Sequence, residues 1–418
     1  MTSEAPARHV LDPTGQDVYG EIDRLRGDGP VVRVEMPGGL HAWVVLGYAE
    51  AVELLKVRNK DPLVSKDIAY WADYLAGLVP NDWPLLRWAV KAGMFTADPP
   101  LHRDLKSWAA PAFTRRRITR LTPVIEQIVT DRLDVLPREA TAGQVVDLRS
   151  AFCLPVPIEA IGALLSVPDD LAPTFLLGAD ALFDTALDLK LAEARFMALL
   201  SAIETMVDRT IADPDLLSRR DLTSDMVRSL GEKDAYTREA LLETMRLTIV
   251  AGYETTGNLI DQATFALLTH PEHRTAVLAG KVSWDAVIDE TLRWAGVAGN
   301  LPLRFAVQDF ELGGAHIKAG DAILVSYAGT GRDPAKYSQP DVFDPTRDSR
   351  DHLGFGHGTH YCLGAPLAVL EAKTALPALF ERYPDLSLAE DPTTIPANPG
   401  FITNGHARLP VRLGTPTA

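Results

Sequence analysis

From Asp234 to His270 the chain carries one unbroken helical period, and no other stretch constrains the fold as much. Leu241, Met245, Thr248, Ile249, Gly252, Leu259, Ala263 and Leu267 recur at helical spacing, and Pro271 ends the run. At 1.5 Å per residue such a helix runs roughly 50 Å, enough to cross a whole domain. The text before it is helical from Asp98 onward, where Asp98-Pro99 offers a cap oxygen and a preset φ. Helical patterning continues almost to Trp294. β-rich text is scarce. VVRVEMPGGLHAWVVLG reads as a hairpin around Pro37-Gly38-Gly39, and LPLRFAV, FELGG, AILVSYA and the tail supply the rest. Ser65 to Ala97, with Trp71, Trp83 and Trp88, has no sustained period and reads as a lid, a pocket wall or aromatics packed on the core. With no repeat or long linker, the expectation is one mostly α domain with a small β region over residues 1–418.

Charge and cysteine content narrow the function. Lysine and arginine number 41 against 56 acidic residues, a net charge of −15 that argues against nucleic acid as the main partner. No apolar run approaches the roughly 18 residues that a membrane span needs. The opening MTSEAPARHV lacks the basic-then-apolar pattern of a secretory leader. Cys153 and Cys362 are too few for a disulfide framework or a four-thiolate metal site. A cytoplasmic location and a monomeric state are the expectations. The one dense basic run, Arg115-Arg116-Arg117 with Arg120, reads as a solvated helix face or a docking patch.

Phe355-Gly356-His357-Gly358-Thr359-His360-Tyr361-Cys362-Leu363-Gly364-Ala365 carries the chemistry. Gly356 and Gly358 permit backbone shapes that other residues resist, and Gly364 has no side chain to block a flat ligand. Pro366 suits the first turn of a helix. Cys362 therefore sits where free amide N–H groups and a helix dipole converge, which favours thiolate over thiol. Such a thiolate suits a nucleophile, with His360 as candidate base, or one axial ligand to a metal already held by a macrocycle. Cys153 reads as an inert buried thiol. Phe-Gly-x-Gly-x-His-x-Cys-x-Gly resembles the haem-binding signature of the cytochrome P450 family at every fixed position. The resemblance covers nearly the whole chain, in order.

That resemblance implies the P450 fold, with the long helix crossing above a haem b whose iron takes Cys362 and whose edge meets Phe355, Gly356 and Gly364. It also gives meaning to Ala251-Gly252-Tyr253-Glu254-Thr255-Thr256. Alone these residues read as a kink or a close helix contact, since Gly costs about 1 kcal/mol against Ala in a helix and the Thr255 hydroxyl can bond the carbonyl four residues back. Beside the cysteine loop they resemble the family's oxygen-activating motif. Ala251 and Gly252 would leave room for dioxygen, and Glu254 and Thr255 would be the acid–alcohol pair that relays protons. Glu290-Thr291-Leu292-Arg293 alone is ordinary i,i+3 decoration. Within the resemblance it looks like the family's buried Glu-x-x-Arg, completed by Arg347.

The family's propionate contacts fall on His102, Lys106, Arg304 and His360, with lysine at 106 where most relatives carry arginine. Pro377 is expected to kink or end the helix after the cysteine. Met94, Phe95, Leu247, Val250, Ala251, Asn300, Ile402 and Thr403 would line a mostly apolar pocket for a small hydrophobic substrate. The stretches LDPTG, RVEMPGG and MFTADPP resemble a bacterial subgroup acting on steroids and macrolide-like secondary metabolites. The sequence has no P-loop and no complete Gly-x-Gly-x-x-Gly after a strand. Electrons for O₂ would thus come from a [2Fe-2S] or similar ferredoxin and its NAD(P)H-dependent reductase, as in soluble bacterial members. A cyclising, coupling or peroxygenating haem-thiolate enzyme, or a haem gas sensor, would keep Cys362 without needing the Glu254–Thr255 pair.

Overall fold

The computed structural model describes residues 9–56, 62–81, 83, 85–90, 93–140, 145–181, 188–348 and 350–417. Its centre is the helix Arg238–Thr269, which begins four residues beyond the sequence-based boundary. The Thr237 side chain accepts the Ala240 N–H at 3.1 Å and so caps the helix. Leu241, Met245, Ile249, Leu259, Ala263 and Leu267 are all buried, as their spacing predicted, but so are Asn258, Asp261, Gln262 and Thr264. From Thr256 to Thr264 the helix is buried on every side, as suits a helix in the middle of a domain. It packs against the helices Pro155–Leu165, Leu189–Ala212, Trp284–Trp294 and Ala365–Arg382.

Two sequence expectations fail here for packing reasons. A Cβ on Gly252 would stand 2.8 Å from Ile161 Cδ1, so this glycine serves a close approach to the helix Pro155–Leu165 and makes no room for dioxygen. The helix Ala365–Arg382 runs on through Pro377. Ala372 and Ala375 before the proline and Leu379 and Phe380 after it are buried, and this face carries the helix past its missing hydrogen bond.

The main sheet has six strands, ordered His9–Val10, Val31–Met36, Leu40–Val45, Ala322–Ser326, Asn300–Ala306 and Val64–Ser65. The predicted hairpin pairs Val31 with Val45 and Met36 with Leu40, and its turn needs glycine, since Gly38 and Gly39 have φ of 92° and 78°. At the far edge Val64 pairs with Ala306 and Ser65 with Phe305, antiparallel. That register sets Lys66 level with Arg304. Asp98 does not cap a helix. Its carboxylate takes the Ser65 hydroxyl and, at 3.3 Å, the Lys66 backbone N–H, while the next helix runs from Leu101 to Ala109. The segment from Ser65 to Ala97, where described, is mixed: Trp71 is fully buried against Trp83 and Phe305, with centroids 5.5 and 5.2 Å away, while Tyr70, Tyr74, Leu75 and Leu78 are exposed. No helix among the described residues is long and apolar enough to cross a membrane.

Candidate active site

The cysteine loop is tied to itself before it reaches its helix. The Gly356 N–H donates to Leu353 O at 2.7 Å and the Cys362 N–H to Phe355 O at 2.9 Å. Gly356 and Gly358 take φ of 76° and 69°, the left-handed shapes their identity allows. A Cβ on Gly364 would meet only Cys362 Sγ, at 3.9 Å, so that face is clear. The Gly364 and Ala365 N–H groups donate to Cys362 at the start of the helix. Crowding by the surrounding chain nonetheless outweighs them and the nearby Lys106 charge, and the thiol lies above its ordinary range although its side chain is open to solvent on one side. A bound metal cation deprotonates such a thiol outright, so this setting suits a ligand better than a free nucleophile. His360 is not arranged as a base, because its ring lies against that of His102 with centroids 4.2 Å apart. Among the described residues no group of three His, Cys, Asp or Glu side chains could hold a metal ion. Cys153 is fully buried and its thiol is pushed well up, again by burial.

Positive groups crowd one side of this loop. His102, Arg304 and Lys66 are buried, and Arg304 Nη1 has no hydrogen-bond partner. Burial holds His102 down to about 4, with the Lys106 charge adding to it. His360 is pushed well down by burial and then by Lys66, Arg304, His102 and Lys106. Burial and the Arg304 charge hold Lys66 well below the usual lysine range, with Asp98 opposing. Asp98 is the one carboxylate whose field offsets any of these shifts. The Lys106 ammonium donates to the carbonyls of Thr359 at 2.9 Å and Tyr361 at 3.0 Å and so clamps the loop. An anion beside Arg304 would satisfy its open donor.

Along the central helix Leu247, Ala251 and Thr255 share one face, four residues apart. Ala251 is exposed and Thr255 partly so, although their neighbours Val250 and Glu254 are buried. The Thr255 hydroxyl donates to Ala251 O at 2.6 Å, the bond anticipated from sequence. Glu254 lies on another face. Its Oε1 accepts from Arg149 Nη2 at 2.6 Å and Asn398 Nδ2 at 3.0 Å, so it is not held with Thr255 as one unit. Burial raises the Glu254 carboxyl, and Arg149 acts against that shift. Arg149 also donates to Asn258 Oδ1 at 2.7 Å and lies 4.0 Å from Asp261, which in turn holds His406 Nδ1 at 2.8 Å.

The predicted pocket residues fall into two groups. Met94, Phe95, Leu247 and Val250 line a small cleft with Trp88 and the ion-paired Glu243 and Arg246. Asn300 instead lies beside residues 401–402, donating its N–H to Ile402 O at 3.2 Å and Nδ2 to Phe401 O at 3.4 Å, and Thr403 is buried next to them. Glu290, Arg293 and Arg347 form the expected network. Arg293 is bidentate on Glu290 at 2.7 Å for both bonds, and Arg347 Nε reaches Glu290 Oε1 at 3.1 Å.

Residues 284–406 match the family model described as Cytochrome P450. Over 96% of this chain and 97% of its own length, 2-hydroxy-5-methyl-1-naphthoate 7-hydroxylase from Streptomyces carzinostaticus is 37% identical. The chain belongs to the cytochrome P450 family. The P450 monooxygenase PikC of Streptomyces venezuelae is 36% identical, covering 98% of this chain and 95% of PikC. Among solved P450 structures, CYP154A1 from Streptomyces coelicolor A3(2) superposes with a TM-score of 0.87 at 42% identity, over 97% and 100% of the two chains. The testosterone-bound CYP154C4 from Streptomyces sp. ATCC 11861 gives 0.92 at 37% identity, over 98% and 99%. This P450 is accordingly a monooxygenase, an oxidoreductase of the haem-thiolate class.

Sequence reasoning missed Lys66, Arg149, Asp261 and His406. Lys66 carries no local signal, because only the pairing of Ser65 with Phe305 places it. The cation cluster has a measurable consequence for the P450 polypeptide stripped of any bound anion. His102 ordinarily titrates near 6.5 and here near 4, so between those values the unfolded chain binds more protons than the folded one. Stability should be full above 6.5 and fall as the pH drops towards 4. Denaturant midpoints at pH 7 and 5 would show this, with a smaller difference in His102→Gln.

Proposed function

We propose that this P450 inserts one oxygen atom of O₂ into a bulky, mostly apolar secondary metabolite or steroid. It would use haem b held by Cys362 and electrons from a ferredoxin with its NAD(P)H-dependent reductase, in one haem domain spanning the chain. The observation that carries the reading is the Cys362 setting: a thiol open to one side, with helix N–H donors, a clear face at Gly364, and a neighbouring Arg304 whose Nη1 lacks a partner. These residues fit a haem. Cys362 would be the iron ligand, Phe355, Gly356 and Gly364 would border the ring, and His102, Arg304 and His360 would meet its two propionates. When bound, the group supplies the oxygen chemistry, and electron donation from a thiolate ligand favours O–O cleavage.

The chain's own residues supply the rest. Lys106 holds the carbonyls of Thr359 and Tyr361 and so fixes the loop that presents Cys362. Thr255, half-open to the space above Ala251, holds a hydroxyl proton on Ala251 O and can turn it outward. Glu254, whose carboxyl burial raises while Arg149 opposes the rise, would pass protons on from behind it. Met94, Phe95, Leu247 and Val250 bind the substrate's apolar body and exclude water. Exposed Arg115, Arg116 and Arg120 give an otherwise acidic protein a local basic patch that suits an acidic ferredoxin, while Arg117 is engaged by Asp225.

The test is the absorption spectrum of reduced protein with and without CO. A strongly red-shifted Soret band is expected in the wild type and none in Cys362→Ala. A band that survives in Cys362→Ala would sink the assignment of Cys362, and a wild-type haem without the shift would point to a different ligand.

A further inference from the structure

Lys66 is a buried lysine with no hydrogen-bond partner for its ammonium among the described residues. It is 5% exposed, at the end of the edge strand Val64–Ser65. Its Nζ lies 3.9 Å from the Phe95 ring centroid. A contact of that kind is weak beside the cost of burying an ammonium. Asp98, whose field favours the charged form, is already engaged by the Ser65 hydroxyl and the Lys66 backbone N–H. The next cation is Arg304, level with Lys66 across the sheet, and it too has a buried, unpaired nitrogen. Two like charges are thus held side by side by backbone pairing, Arg304 with an unpaired Nη1 and Lys66 with no more than the Phe95 face against its ammonium. The Lys66 charge also acts on His360, ahead of Arg304 among the charges there. Lys106, by contrast, has committed two of its N–H bonds to loop carbonyls.

We infer that Lys66, rather than Lys106, is the lysine that pairs with a carboxylate of the bound haem, acting beside Arg304. The inference rests on the haem-thiolate reading above. It makes Lys66 a positioning residue that sets how tightly the haem is held and how readily it is reduced. A positive charge next to the haem edge stabilises the reduced, more negative state. Removing it should lower the midpoint potential. Arginine would keep it.

The experiment uses the holoenzyme and the variants Lys66→Met, Lys66→Gln and Lys66→Arg, with two readouts besides turnover. These are the rate of haem transfer to excess apomyoglobin and the midpoint potential by spectroelectrochemistry. Lys66→Met and Lys66→Gln should lose haem about tenfold faster, equivalent to roughly 1.4 kcal/mol, and their potential should move negative. Lys66→Arg should stay close to wild type in both. If Lys66→Met does not fold, Lys66→Gln carries the comparison. Faster haem loss with an unchanged potential would show that Lys66 only packs against Phe95, and would overturn the inference. So would wild-type values in every variant while the red-shifted CO band persists. A wild type without that band would instead overturn the haem-thiolate reading itself, and the two failures are told apart by that spectrum.

Discussion

Arg293→Met should leave little folded protein. Arg293 is 2% exposed and every donor arm is engaged. Nε and Nη2 hold Glu290 at 2.7 Å, Nη1 holds Gly331 O at 2.7 Å and Pro340 O at 2.8 Å, and Nη2 also reaches Val342 O at 2.9 Å. Removing it strands a Glu290 carboxylate that is itself buried, with Asp344 N–H and Arg347 as its remaining partners. Breaking a buried ion pair from one side typically costs about 3–5 kcal/mol, against a total stability of roughly 5–15 kcal/mol. Lysine should not rescue it, because one ammonium cannot reproduce a planar fork aimed at four acceptor groups. The damage reaches the active site. A Cβ on Gly354, just before the cysteine loop, would stand 3.0 Å from Leu292 Cβ, so the loop rests on the helix that carries Arg293. Soluble yield and the denaturant midpoint test this, and a midpoint within about 1 kcal/mol of wild type would show that the network is dispensable.

How much of this was legible in the sequence follows from how local each cause is. The central helix was readable because its apolar period is a property of neighbouring residues, and the hairpin because Gly38-Gly39 dictates its turn. The cysteine loop was readable because glycines, histidine and cysteine fall within one short segment. Gly252 was misread for the opposite reason. A glycine in mid-helix signals close approach without saying to what, and the neighbour, Ile161, is remote in sequence. Lys106 was placed by resemblance, yet its ammonium found the carbonyls of Thr359 and Tyr361. The partners of Glu254 could not have been found at all. Arg149 and Asn398 are separated from it by more than a hundred residues and converge only when the central helix is buried.

That convergence yields the other large effect. Arg149→Leu should destabilise the protein by about 3–5 kcal/mol near neutral pH, while the double variant Arg149→Leu/Glu254→Gln should regain most of the loss. The reason is that Glu254 is 2% exposed and Arg149 is its only ionic partner among the described residues. Without Arg149 a buried carboxylate is left with side-chain amides, Asn398 and Asn258, and no cation. The deficit should depend on pH. Burial already raises the Glu254 carboxyl above its ordinary range, and without Arg149 it must rise further. A folded value above the unfolded one means that the folded state binds the proton more readily, so stability is regained as the pH falls through the raised value. Glu254→Gln alone should cost less, since its amide oxygen can accept the same Arg149 bond and Asp261 remains 4.0 Å from the guanidinium. If the carboxyl is the proton store for Thr255, that single variant should still lose turnover by about 10²-fold or more. The two effects therefore separate: Arg149→Leu acts chiefly on unfolding midpoints and their pH slope, and Glu254→Gln chiefly on turnover. Additive losses in the double variant would mean that the two groups do not sense each other, and the ion pair would then have no part in holding the carboxyl in place.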